Sequence, residues 1–396
     1  QTIKVFLKNI IFKKNFFLLN QNMGWEIAQR ITLPQTQRGV ANTSQALAIE
    51  DQTLLVSNWG NDGGEVSDQQ VYFYQKGKDG VFELKQTEDA TSVNGAGGYG
   101  FGVALDVHGN ICVVGEGRAG GANRPGRAHI YQKQKDGSWE RLQTLSRGGN
   151  EEQFGLTASV YGNYVAVGAI GVDGGRGAVY VFMRNDSGEY IEVQKIPGDT
   201  ATSDFGGNVT KLYENYLVAM DGAGAAGILH FYMRDDNGTY NKVERVVFAD
   251  TADATGNGAG IGVYGNSIVA SAVDQNDPDG TADTGIVAFY QRGNDGNLKR
   301  LSQFFGTSAT SKIGRKVAIF GNFAVAVDGS GSPRAITFYK RGNDGEWKID
   351  TTTSIADANL GDFDGMDITG NYLAITSPNA TGVNNRGQVL IFNRKY

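Results

Sequence analysis

The sequence predicts an all-β protein: a seven-bladed β-propeller with four antiparallel strands per blade, closed by an N-terminal strand (25–34) that completes the C-terminal blade. Three observations predict it. A turn signal repeats about every fifty residues, an aromatic–cation strand ending repeats at the same period, and the strand missing from the last repeat stands before the first. Glycine supplies 57 of the 396 residues and proline only six, as expected for many short strands joined by turns.

The first strand pair of each repeat meets at a tight turn. These turns read Glu50-Asp51, Gly109-Asn110, Gly162-Asn163, Glu214-Asn215, Gly265-Asn266, Gly321-Asn322 and Gly370-Asn371. From Asp51 to Asn371 the steps are 59, 53, 52, 51, 56 and 49 residues. Gly and Asn suit two-residue hairpin loops because they tolerate positive φ.

The third strand of each repeat is short, aromatic or β-branched, and ends near a cation. Blade by blade it reads Val71–Tyr74 with Lys76, His129–Tyr131 with Lys133, Val179–Phe182 with Arg184, and His230–Tyr232 with Arg234. Ala288–Tyr290 with Arg292, Thr337–Tyr339 with Arg341 and Leu390–Phe392 with Arg394 complete the set. Runs of this composition and length favour strand over helix. Four residues after each of the first six cations stands a hairpin glycine: Gly80, Gly137, Gly188, Gly238, Gly296 and Gly345.

The fourth strand then opens, usually on an aromatic residue, as in Trp139-Glu-Arg-Leu-Gln-Thr-Leu and Tyr190-Ile-Glu-Val-Gln-Lys-Ile. Its apolar and polar residues alternate, the mark of one wet face. After Arg394 the chain supplies no such strand, but Trp25-Glu-Ile-Ala-Gln-Arg-Ile-Thr-Leu matches the missing one. A ring gains from sharing one blade between its two ends, because an unpaired strand edge invites aggregation. Residues 25–396 therefore read as one domain, and residues 1–24 as a tail outside the fold, disordered or artefactual.

These repeats resemble FG-GAP repeats, the blades of integrin α-chain propellers, in their short variety. The Phe-Gly signature stands at Phe101-Gly102, Phe154-Gly155 and Phe205-Gly206, with Ile313-Gly314 a conservative copy, and Val165–Ala169 gives the clearest Val-Gly-Ala segment. The other three repeats lack the pair. Kelch and WD propellers fit less well, since the regular Gly-Gly doublet and the Trp-Asp dipeptide are absent. The resemblance implies a cell-surface or extracellular binding and adhesion role. A start at Met23 would fit a cytoplasmic protein.

Integrin-type blades often carry a calcium loop of the form Asp-x-Asp-x-Asp-Gly, and calcium needs six to eight oxygens. No segment matches it here. Asp274, Asn276, Asp277, Asp279 and Asp283 come closest, but their spacing is irregular and Pro278 stiffens the middle. The expected reading is a solvated acidic loop and no cofactor. Asp362, Asp364 and Asp367 form a second, sparser cluster.

Composition narrows the chemistry. Three histidines and one cysteine leave no zinc set, and no Gly-x-Ser-x-Gly or phosphate-cradling glycine loop is present. His129 and His230 share one strand position and read as packing residues, and Cys112 as buried filler. The net charge is −6, and residues 1–24 hold four lysines and no acid. The repeats are thus more acidic still, against a nucleic-acid partner. No stretch suits a transmembrane helix.

The expected function is a non-catalytic binding or adhesion module for a protein or glycan ligand. A polysaccharide hydrolase or lyase, or a lectin, on the same scaffold is the alternative. The 2–3 loops vary in length while the 1–2 turns do not, so the variable-loop face is the expected binding face. Trp59, Arg118, Arg124 and Arg176 are the candidate anchors there, as Trp and Arg dominate binding hot spots.

Overall fold

In the computed structural model, the described residues are 24–34, 43–44, 46–60, 69–90, 100–117, 126–147, 153–201, 203–221, 227–248, 259–308, 311–328, 334–355, 363–377 and 387–394. Their strands form seven sheets. From the channel outward, blade 1 is Leu47–Glu50, Thr53–Gly60, Gln70–Lys76 and Phe82–Asp89. The short pair Thr43–Ser44 adds to its second strand. Blade 2 is Phe101–His108, Ile111–Glu116, Arg127–Lys133 and Trp139–Ser146, and blade 3 is Thr157–Tyr161, Tyr164–Ala169, Ala178–Arg184 and Tyr190–Pro197. Blade 4 is Thr210–Tyr213, Tyr216–Met220, Ile228–Arg234 and Tyr240–Val247. Blade 5 is Ala259–Tyr264, Ser267–Ala272, Ile286–Arg292 and Leu298–Phe305, and blade 6 is Ile313–Phe320, Phe323–Asp328, Arg334–Arg341 and Trp347–Ile355. Blade 7 is Met366–Thr369, Tyr372–Ser377, Gln388–Arg394 and, from the other end of the chain, Trp25–Thr32.

The shared blade forms as the sequence predicts. Trp25 pairs with Arg394 and Thr32 with Gln388 in an antiparallel ladder, and Leu33 N donates to Gly387 O at 2.9 Å. Trp25 stacks on Phe338 of blade 6 at 5.8 Å, while Ile31 and Leu33 face blade 1. The tail reading of residues 1–24 lies outside the described residues but for Gly24. Among the described residues no helix is long and apolar enough to cross a membrane.

The core is divided among seven apolar clusters, one between each pair of neighbouring blades. The Phe-Gly signature has a physical reason in this packing. Phe101, Phe154 and Phe205 are wholly buried, and the glycine after each has φ between 80° and 92°. A Cβ on Gly155 would stand 2.0 Å from Arg127 O, and one on Gly102 2.6 Å from Ser57 Cβ. Only glycine meets both demands.

The 1–2 turns also hold one conformation. Gly109, Gly162, Gly265, Gly321 and Gly370 have φ of 53–62°, and Asp51 and Glu214 adopt 49° and 50° at the same place. The first turn is therefore Asp51-Gln52, one residue beyond the sequence assignment. Glu50 still ends the inner strand.

Two devices join the blades at the outer rim. Every fourth strand carries a bulge just before its fifth residue. In four blades that residue is a glutamine whose amide clamps the next blade. Gln143, for example, accepts from Tyr190 N at 2.8 Å and donates to Tyr190 O at 2.9 Å. Gln29, Gln86 and Gln194 repeat the clamp on Phe82, Trp139 and Tyr240. Glu244 and Ser302 keep its accepting half, on Leu298 N and Trp347 N. A bulge re-aims a side chain in this way. The second device is the cation set, which packs on the preceding blade. Lys76 lies 4.0 Å over the Tyr372 ring, Arg234 4.1 Å over Tyr164 and Arg394 3.5 Å over Phe323. Arg184 donates to Gln132 at 3.1 Å. These cations join blades, a role that their position beside hairpin tips did not reveal.

Candidate functional site at the channel mouth

The seven inner strands surround a central channel, and their alternation sorts its lining. The last residue before each 1–2 turn is Glu50, His108, Tyr161, Tyr213, Tyr264, Phe320 or Thr369. Two residues back stand Ala48, Asp106, Ser159, Lys211, Gly262, Ala318 and Asp367. The residues between, such as Ile49, Val160, Leu212 and Ile368, are buried between blades but still border the channel.

The first set makes a collar at the mouth. His108 stacks on Tyr161 at 4.1 Å, Tyr161 lies 5.0 Å from Tyr213, Tyr213 6.0 Å from Tyr264, and Tyr264 4.4 Å from Phe320. Five rings thus run without a break round one side of the mouth, all half-buried. Glu50 and Thr369 close the other side. Glu50 accepts from Gly109 N and lies 3.0 Å from His108 Nδ1. That hydrogen bond holds the His108 imidazole above the ordinary histidine value, against burial, with Asp106 and Asp51 helping. Burial, Tyr213, Glu214 and Glu50 together push the Tyr161 phenol up.

The second set lies deeper. Asp106 Oδ2 accepts from Ser159 Oγ at 2.6 Å and from Val160 N at 2.9 Å, and Oδ1 takes Lys211 Nζ at 3.1 Å. Ser159 Oγ accepts from Leu212 N at 2.9 Å. Asp367 accepts from Ile49 N at 3.0 Å, across the junction that closes the ring, and from Ile368 N at 2.9 Å. Each of the three side chains thus pairs a backbone N–H of the next blade. Burial pushes the Asp367 carboxyl up to about 6, although Lys211 and Ile49 N pull it down. Burial also lowers the Lys211 ammonium, but Asp106 and Asp367 outweigh it and hold the group above the ordinary lysine value. The mouth and the trio Asp106, Lys211 and Asp367 line one cavity of about 270 Å³. A second of about 310 Å³, toward the opposite face, adds Asn208, Lys316 and Asp364.

Of the sequence-predicted anchors, only Arg176 has a described side chain. Arg176 is exposed in the loop between Ala169 and Ala178, at the end of blade 3 away from the 1–2 turns. Trp59 pairs through its backbone with Ser44, but its side chain lies outside the described residues, as do Arg118 and Arg124 altogether. In the acidic loop, Asp274 is buried against Lys312 at 2.6 Å, with Asp283 3.8 Å from the same ammonium. Asp277 accepts from Asp279 N at 3.0 Å and Thr281 N at 2.8 Å, and Asn276 from Asp283 N at 2.9 Å. Among the described residues no group of three or more His, Cys, Asp or Glu side chains is set to hold a metal.

The two strand histidines are buried on carboxylates as well as packed. His129 Nε2 lies 2.9 Å from Glu116 and His230 Nε2 2.9 Å from Asp221. Burial outweighs Glu116 and lowers the His129 imidazole. Cys112 is buried, which pushes its thiol well up. The collar and the trio were missed from sequence. Their one legible signal is the ring that precedes five of the seven turns.

No protein-family model matches this chain, and no curated protein matches it. Its fold is similar to those of solved structures at 11–13% identity, which show the propeller alone. A protein from Lactobacillus plantarum has a TM-score of 0.55 at 12% identity, covering 85% of this chain and 90% of its own. The periplasmic gluconolactonase PpgL of Pseudomonas aeruginosa has 0.51 at 13%, covering 80% and 86%. A prolyl endopeptidase has 0.51 at 11%; the match covers 88% of this chain but 46% of that one.

Proposed function

We propose that the chain is a non-catalytic binding module, in line with its likeness to FG-GAP repeats, and that its ligand sits at the channel mouth. The observation that carries this reading is the collar: five partly exposed rings and a carboxylate, fixed by seven hydrogen-bonded inner strands around one cavity. Rigid aromatic groups give contact area at little entropic cost. The variable-loop face, with Arg176, is the competing location. Calcium is not part of the proposal, since Lys312 already pairs with Asp274 and approaches Asp283 in the acidic loop.

A second reading is catalytic, and one observation favours it. Asp106, Lys211 and Asp367 converge in the channel, and a carboxyl raised to about 6 is the kind of group that acid–base chemistry uses. Binding is preferred because both carboxylates already hold the backbone of the next blade. Protein and glycan arrays probed with the wild-type chain and with Tyr161→Leu/Tyr213→Leu test the proposal. Capture lost in the folded variant supports it; capture retained puts the site elsewhere; turnover of an arrayed glycan, abolished by Asp367→Asn, establishes the catalytic reading instead.

A further inference from the structure

We propose that the channel mouth takes a primary alkylammonium group, an inference that rests on the binding reading above. Charge is the first argument. Four carboxylates line the cavity, Glu50, Asp51, Asp106 and Asp367, against Lys211 and His108. Glu214 adds a fifth from the turn after Tyr213, and the seven 1–2 turns contain no lysine or arginine. Lys211 is held by Asp106 below the collar, and at the rim Glu50, Asp51 and Glu214 outnumber His108, which Glu50 holds, and Lys76, on which Asp51 acts. The field of those acids is felt by the collar itself, where Glu50 and Glu214 both push the Tyr161 phenol up.

The rings are the second argument. Tyr161–Tyr213, Tyr213–Tyr264 and Tyr264–Phe320 are tilted by 40°, 55° and 47° rather than stacked face to face, and each ring is only half-buried. An ammonium gains from such faces, and more where nearby carboxylates and walls of low polarity strengthen the field. An anion would meet the opposite potential. Size points the same way. A cavity of about 270 Å³ admits a side chain or a small amine and excludes a folded domain. An alkyl stem would lie along the collar while its charged end reached Glu50 and Asp51, the division that lysine stems show elsewhere. The group could come from a free amine or from a lysine of a partner protein.

Isothermal titration of the full chain tests this with n-butylammonium, a lysine-centred tetrapeptide, its Nε-acetylated form and n-butanol. The cationic probes should bind, compete with each other and weaken with added salt, while the two neutral probes do not bind. Glu50→Gln and Tyr161→Leu should each weaken both cations about tenfold, a loss of roughly 1.4 kcal/mol, with the melting transition retained. A peptide at least tenfold tighter than butylammonium points to a protein lysine, and equal affinities to free amines. Neutral probes that bind as well as cationic ones overturn the inference. So does the absence of any cation binding. If array capture then still depends on Tyr161 and Tyr213, only the ligand chemistry was wrong; if it does not, the site itself was wrong.

Discussion

Removing the shared strand should undo the ring, and the structure sets the size of the effect. Residues 1–34 contain Trp25, Ile31 and Leu33, which are 2%, 8% and 1% exposed and belong to the apolar clusters on the two sides of blade 7. Burying one such side chain contributes about 1.5–3 kcal/mol, so the three together contribute roughly 5–9 kcal/mol. The Gln29 clamp on Phe82 adds about 1 kcal/mol for each of its two hydrogen bonds. A typical domain is stable by about 5–15 kcal/mol, so the 35–396 chain should be largely unfolded or aggregated. The edge it exposes, Gln388–Arg394, is a free template for pairing. The 23–396 chain, which keeps the strand, should match the full chain. Thermal melts followed by circular dichroism, with size-exclusion chromatography, read the difference. Adding a peptide of residues 24–34 should restore a folded monomer of 35–396. Equal melting of all three chains, or a peptide without effect, would refute closure by this strand.

Three further outcomes follow from the same contacts. Gln143→Leu should lower stability by about 1–3 kcal/mol, because the N–H and C=O of Tyr190 lose their partners; denaturant melts measure it, and an unchanged midpoint contradicts the clamp. Gly155→Ala should prevent folding, since its Cβ would overlap Arg127 O, whereas Gly162→Ala, at φ 56° with open space around it, should cost about 1–2 kcal/mol. Expression and melting of the two variants separate close approach from φ alone. The Asp367 carboxyl is raised to about 6 in the folded chain, against about 3.9 unfolded. The folded state therefore holds the proton more tightly. This stability is present below about pH 4 and lost as pH rises through 6, on the order of 3 kcal/mol. Asp367→Asn gives up one of the two N–H acceptors but should remove that dependence, so its effect on stability should be more favourable at pH 7.5 than at pH 4; equal effects at both would refute the assignment.

Much of the fold was legible because each blade repeats local chemistry. The turn pair, the aromatic strand ending and the hairpin glycine are read within a dozen residues, and the closing strand announces itself by copying Trp139–Leu145 and Tyr190–Ile196. Contacts between blades were less legible. Gln29, Gln86, Gln143 and Gln194 stand at one position of the fourth strand, yet their partners lie 46 to 53 residues away. Only the bulge, which no local periodicity announces, aims them there. The channel trio is harder still. Asp106, Lys211 and Asp367 share a register but not a residue type, and ring closure brings the Asp367 carboxylate to a backbone N–H 318 residues away. Loop length pointed to the variable face for binding, whereas the collar sits beside the short, uniform turns.

A ligand at the mouth framed by those turns would protect them from exchange. Hydrogen–deuterium exchange of the chain, with and without a partner captured on the arrays, tests this most directly. Slowed exchange is predicted at 107–110, 160–163, 212–215, 263–266 and 319–322, with little change in 170–177 and 273–285. Protection confined to those last two loops, on the opposite face, would contradict it.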